Sequence, residues 1–251
     1  MTDEREPSSG ESKAGEAIRK LGYTKSLLFV FVIPFLFLFR TILRNVQKAP
    51  FFVSVAAVCV LGWGWSMLLT YQHWWVFPER FILGYRPLPY LPVEEFLIYP
   101  IGGAFSIFLY ALPTRKWPVA TSAPFFWFFI VAVTAAFSGL AWWKHDTRPF
   151  YLYSQLVLYN GLSFVLAPFS ASRVNIKGLL ISALTLGAVG SVWDYFAFRY
   201  AWWVYYAITN VKVAGVPVED VNFYLMAPAA AIALYVALCR MFGQSQVPAE
   251  K

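Results

Sequence analysis

Charge is scarce in this chain. Asp, Glu, Lys and Arg make up 13% of its 251 residues, about half the share of a typical soluble domain, while 59% of the residues are hydrophobic. One core cannot hide that much apolar surface, and a disordered chain would be richer in charge. Both classes are excluded, and a polytopic membrane protein is expected. Cysteine is also rare: Cys59 and Cys239 each sit inside an apolar run and read as small apolar residues rather than a disulfide or metal pair. His73 and His145 are the only histidines, too few for a zinc or di-iron site. No Gly-x-Gly-x-x-Gly follows a strand pattern and no Asp-rich diphosphate motif occurs, which leaves a Rossmann cofactor and prenyl transfer unsupported. The chemistry expected is therefore acid–base, with no cofactor and no metal.

The net charge of +7 is not a nucleic-acid footprint, because its basic residues are scattered among loops and tails. Basic residues that flank apolar runs meet lipid headgroups, so membrane lipids are the expected partners. Seven runs approach the length of about 20 residues that a crossing helix needs. They cover residues 26–43, 51–70, 92–112, 120–142, 150–169, 178–198 and 217–239. Residues 1–22 read as a polar, disordered tail and 241–251 as a second tail. The expected class is an all-α integral membrane protein, multi-pass, in the cell (inner) membrane.

The chain contains itself twice. Trp65–Ser66, Trp74–Trp75 and Pro92–Val93–Glu94–Glu95 reappear as Trp193–Asp194, Trp202–Trp203 and Pro217–Val218–Glu219–Asp220. The offset is 128 residues until the loop, where the first copy is three residues longer, and 125 at the tetrapeptide; Tyr99 then matches Tyr224. Each copy fits three helices, within residues 23–113 and 148–240, and residues 114–147 supply a linker helix that restores direction. The result is a parallel repeat, an arrangement that often places the functional site between its halves.

The acidic residues sharpen this reading. Of 13, five lie at or inside apolar runs: Glu94, Glu95, Asp194, Glu219 and Asp220. Such groups are costly in a bilayer and are functional candidates by default. Proline suits a first helical turn, and acids beside it complement the helix dipole, so a purely structural account also exists. Adjacent helical residues point about 100° apart, so only one acid of each pair can face a common interior. Glu94 and Glu219 are favoured here as that interior pair. Two carboxyl groups in one apolar cavity can hold a proton between them, protonate an alkene and later remove a proton. Asp194 is a candidate third member, with a bond to a neighbouring helix or to Arg199 as the alternative. The Trp74–Trp75 and Trp202–Trp203 pairs fit an interfacial belt, or aromatic faces that stabilise a cation. Gln155, Asn160 and Asn222 read as interhelical hydrogen-bonding groups.

Taken in order, these residues resemble the membrane-integral lycopene cyclases: the two-subunit bacterial enzymes, their fused archaeal forms and the cyclase half of the fungal bifunctional enzyme. The resemblance rests on Trp193–Asp194, Trp202–Trp203 and Pro217 to Asp220, and on Trp74 to Glu79, Leu83–Gly84 and Pro92 to Glu95. It covers roughly residues 26–239. Ser66 stands where the pattern has Asp, and Asp220 where it has a second Glu. The resemblance implies cofactor-free closure of the acyclic ends of lycopene, or a similar C40 polyene, to six-membered β-type rings. It implies Glu94 and Glu219 as the acid–base pair, assisted by Glu95, Asp220 and Asp194. It also implies a substrate pocket walled by Trp65, Trp74, Trp75, Trp193, Trp202, Trp203, Tyr99 and Tyr224. Self-association, or association with other carotenoid enzymes, stays open. So do two other classes, a carotenoid hydratase or other terpenoid cyclase and a non-catalytic membrane protein or transporter.

Overall fold

The structure, a computed structural model, describes residues 22–117 and 123–248. Among the described residues seven helices are long and apolar enough to cross a membrane: α1 (Gly22–Asn45), α2 (Lys48–Tyr71), α3 (Val93–Lys116), α4 (Ala123–Trp143), α5 (Phe150–Ser170), α6 (Ile176–Tyr200) and α7 (Val218–Met241). Helices are the required solution, since hydrocarbon offers the backbone no hydrogen bonds and a helix satisfies its own. The chain is thus an all-α, multi-pass membrane protein.

Several helices extend past the apolar runs. α1 is already helical at Gly22, ahead of the expected residue 26, and there Tyr23 and Thr24 hydrogen-bond to the start of α3. Of the expected N-terminal tail, residues 1–21 lie outside the described residues, and so does the expected start of the fourth span at residue 120. The segment after α7, expected as a tail, is tied down. Tyr110 donates to the Gln246 side chain, Tyr235 donates to the Gln246 carbonyl at 2.6 Å, and Gln246 Nε2 donates to the Arg173 carbonyl at 2.5 Å.

α3 and α7 pack together at the centre. α2 and α6 each contact both of them, α1 lies on α3, and α5 lies on α7. Small residues are buried on both central helices, Gly103, Ala104 and Ser106 on α3 and Ala229, Ala230, Ala231 and Ala233 on α7, and such residues let helix backbones approach, as Gly103 does against Val58 of α2. Ser182 of α6 adds a bond across the bundle by donating to the Ser106 carbonyl at 2.9 Å. α4 sits outside, against α5, and Asn160 of α5 donates to Thr134 of α4 at 3.0 Å. Asn222 of α7 donates to Gln155 at 3.1 Å and to Asn160 at 3.3 Å, so these three amides do join helices.

The two repeats match far beyond the tetrapeptides. α1 and α5 each carry a π-helical turn, at Leu28–Val32 and Leu156–Asn160, the same 128 residues apart. The loops after α2 and α6 meet as a two-stranded antiparallel sheet of β1 (Trp75–Val76) and β2 (Val204–Tyr205). In it Val76 pairs with Val204, its own counterpart, and Trp75 pairs with Tyr205. Pairing of counterparts in opposite directions places a local two-fold axis at Val76 and Val204. A second pair, β3 (Lys212–Val213) and β4 (Val216–Pro217), forms a hairpin that delivers the chain into α7. Its turn residues Ala214 and Gly215 have φ of 50° and 87°, the left-handed pair such a tight turn requires.

Candidate active site

Each pair of acids lies in the first turn of a helix capped by proline, one valine after it, and the two carboxyl groups diverge as helical geometry demands. The first acid of each pair turns to the loop that precedes it. Glu94 Oε1 accepts from the Leu83 backbone N–H at 2.7 Å and from the Thr24 hydroxyl. Glu219 Oε1 accepts from the Thr209 backbone N–H at 2.5 Å. The second acid of each pair turns inward. Glu95 and Asp220 line a cavity between the repeats, together with Asp194 from α6. Glu94 and Glu219, expected as the interior pair, do not line it, and the assignment within each pair is reversed. The physical reason is local: a loop N–H close to the helix start captures the first carboxylate, and the next residue then points into the bundle.

The hydrogen bonds around the inward acids repeat with the fold. Tyr23 donates to Glu95 Oε2 at 2.8 Å, and its counterpart Tyr151 donates to Asp220 Oδ1 at 3.1 Å. The Tyr99 hydroxyl lies 2.5 Å from Ser66 Oγ, whereas its counterpart Tyr224 donates to Asp194 Oδ2 at 2.9 Å. Ser66 Oγ also lies 3.4 Å from Glu95 Oε1. The halves therefore share one scaffold and differ in chemistry. The first repeat offers one carboxyl group and a hydroxyl, and the second offers two carboxyl groups. All five acids are buried.

The aromatic walls cross between repeats. Trp65 Nε1 donates to Ser154 Oγ at 2.8 Å, and Trp193 Nε1 donates to Ser26 Oγ at 2.9 Å. Each bond joins α2 or α6 of one repeat to the first helix of the other. The Trp65 ring stacks on Tyr151, with centroids 5.5 Å apart, and Trp193 sits 5.6 Å from Tyr23. Trp75 and Trp203 roof the cavity from the paired loops. Of the expected pocket residues, Trp65, Trp75, Trp193, Trp203, Tyr99 and Tyr224 line this cavity. Trp74 and Trp202 do not: Trp74 stacks on Phe150 at 5.0 Å and Trp202 on Tyr200 at 6.0 Å.

Sequence reasoning missed Tyr23, Tyr151, Tyr205 and Tyr159, all of which line the cavity. A signal existed for the first two, since extending the 128-residue offset upstream matches Tyr23 to Tyr151 and Ser26 to Ser154. Tyr205 belongs to the loop sheet, and its hydroxyl lies 3.2 Å from that of Tyr151. Burial, and then the nearby Asp220 carboxylate, pushes its phenol well above its ordinary value, so it remains a proton-bearing group.

The cavity measures about 130 Å³, and its walls are mostly apolar. A single water needs about 10–15 Å³ on this measure, so the space takes several times that and suits part of an apolar molecule rather than the whole of a long one. Chemically, the site combines carboxyl groups able to give and take a proton with ring faces able to stabilise a cation. Asp194, Asp220 and Glu95 do not form a group suited to a metal among the described residues. Comparison with protein-family models, curated proteins and solved structures finds no match for this chain.

Proposed function

We propose that this chain is a membrane enzyme that closes an acyclic end of lycopene, or a similar C40 polyene, to a six-membered ring. The observation that carries the reading is the convergence of Asp194, Asp220 and Glu95 on one aromatic-walled cavity at the repeat interface. The resemblance to membrane-integral lycopene cyclases supports the same reaction.

In the proposed reaction one member of the Asp194–Asp220 pair carries a proton and gives it to the terminal double bond. The cation formed is attacked by an internal double bond, which makes the new carbon–carbon bond and moves the positive charge onto the ring. The other carboxylate removes a proton beside that charge, and a ring double bond forms. One proton enters and one leaves, so no oxidant, reductant or other reactant is consumed. Glu95, held by Tyr23, assists from the opposite repeat. Trp65, Trp193, Trp75 and Trp203 face the cation and keep out water, which would otherwise capture it. The cavity holds one end at a time, and the cell (inner) membrane is the compartment in which such a substrate dissolves.

The test is expression in cells that accumulate lycopene, followed by chromatography of the pigments. Monocyclic or bicyclic products are expected. Hydroxylated acyclic products would assign a hydratase instead, and unchanged lycopene with correctly inserted protein would overturn the reading.

A further inference from the structure

The cavity is deep as well as narrow. On α7 its lining runs from Asp220 to Ala231, and on α3 from Glu95 to Ser106. At about 1.5 Å per helical residue, each of these runs covers about 16 Å along the bundle. A C40 polyene is about as long as the hydrocarbon layer is thick, roughly 30 Å. An end group placed at the carboxyl groups therefore leaves about half of the chain without room in the cavity. That half must leave through the side of the bundle.

The two-fold repeat offers two equivalent seams for this exit. One lies between α2 and α5, and its counterpart lies between α6 and α1. Both are bridged at carboxyl level, by Trp65 to Ser154 and by Trp193 to Ser26. Below the bridges they differ. On the α2–α5 seam Leu61, Leu158 and Leu162 line the cavity, and Leu61 is at the same time 39% exposed on the outer surface. On the other seam the counterpart of Leu61 is Val189, which is 41% exposed but does not reach the cavity. Val30 and Pro34, the counterparts of Leu158 and Leu162, do not reach it either. A residue that belongs to both the cavity wall and the outer surface marks an opening between them.

We infer that the α2–α5 seam at Leu61 is a lateral portal to the bilayer, through which a linear apolar chain enters and from which its unreacted half trails among the lipids. The inference rests on the functional reading for the identity of that chain, but the portal itself does not require it. The level fits a hydrocarbon ligand. Leu61 lies ten residues from the end of α2 at Tyr71, or about 15 Å inside the helix. At that depth the surroundings are acyl chains.

Symmetry supplies the control. Leu61→Trp places a large ring in the opening, while Val189→Trp places the same ring at the counterpart position, outside the cavity. Val189 is exposed and outside the cavity, and Leu61 stands half-exposed at the opening, so neither ring replaces a fully buried side chain. With the full chain purified in lipid nanodiscs and lycopene as the probe, Leu61→Trp is expected to lower retained polyene and its turnover at least tenfold. Val189→Trp should stay within twofold of the parent. Equal behaviour of the two variants would overturn the portal. If the parent neither retains nor converts lycopene, the functional reading fails, and a second measurement still decides the portal. Bilayers are made with phosphatidylcholine carrying a diazirine near the end of one acyl chain, and photolabelled residues are mapped by mass spectrometry. Labelling of Tyr159 and Tyr99 inside the cavity is expected in the parent and in Val189→Trp and lost in Leu61→Trp. Cavity labelling that is absent from the parent, or indifferent to Leu61→Trp, would refute the opening.

Discussion

At the scale of single residues, the division of labour within each acid pair is the main consequence of the geometry. Glu219 spends one oxygen on the Thr209 N–H and stays out of the cavity, while Asp220 faces it. Glutamine keeps the accepting oxygen, so Glu219→Gln should preserve the loop and retain turnover to within about tenfold. In the proposed reaction Asp220→Asn removes a group that gives or takes a proton, and it should cost about 10²–10⁴ in turnover, the usual worth of a general acid or base. Both variants should insert normally, which product yield per quantified membrane protein would check. A larger loss in Glu219→Gln than in Asp220→Asn would restore the original assignment. The tetrapeptides made both pairs visible in the sequence. Which acid faces inward was not visible, because it depends on where a loop N–H lies after the chain has turned back ten residues.

Helical elements owe their fit to two glycines. A methyl group built on Gly62 would lie 2.1 Å from the Tyr99 ring, and one on Gly190 would lie 2.2 Å from the Tyr224 ring. Only glycine allows α2 and α6 to receive these rings, which then reach Ser66 and Asp194. Gly62→Ala or Gly190→Ala should therefore destabilise the bundle by about 1–3 kcal/mol through overpacking. Gly190→Ala should also displace Tyr224 from Asp194 and lower activity beyond the effect on folding. Gly102 is the comparison, since a methyl group there meets nothing within 4 Å. Gly102→Ala should not destabilise the bundle and should gain up to about 1 kcal/mol from helix propensity. Thermal unfolding of the three variants in one detergent would test the ranking, and equal losses would refute it. The existence and order of the seven helices were legible from apolar length alone. The π-helical turns, the glycine contacts and the early start of α1 were not, because each depends on a partner from another helix.

On the scale of the whole molecule, neither repeat encloses the site. Asp194 and Asp220 come from the second repeat, Glu95 from the first, and the Trp65 and Trp193 bonds cross between the two. The β1–β2 pairing adds a further join at the roof. The internal repeat was legible as two ordered motifs, but its two-fold pairing through Val76 and Val204 was not, because pairing is a property of folded loops. These joins predict that the chain can be cut without losing its function. α1 to α4 form an even number of crossings, so α5 starts on the side of the membrane where α1 starts. A fragment beginning at Arg148 thus meets the membrane in the same sense as the intact N-terminus. Coexpressed fragments 1–147 and 148–251 should insert, co-purify and recover activity, while either fragment alone should have none. Adding Trp65→Phe and Trp193→Phe removes both crossing indole bonds and leaves the rings. A net hydrogen-bond contribution of about 0.5–1.5 kcal/mol apiece would then weaken fragment association by about 5- to 150-fold in all. Association measured by quantitative pull-down in detergent would check this. Activity in one isolated fragment, or association unchanged by the double substitution, would show that the interface between the repeats is not what assembles the site.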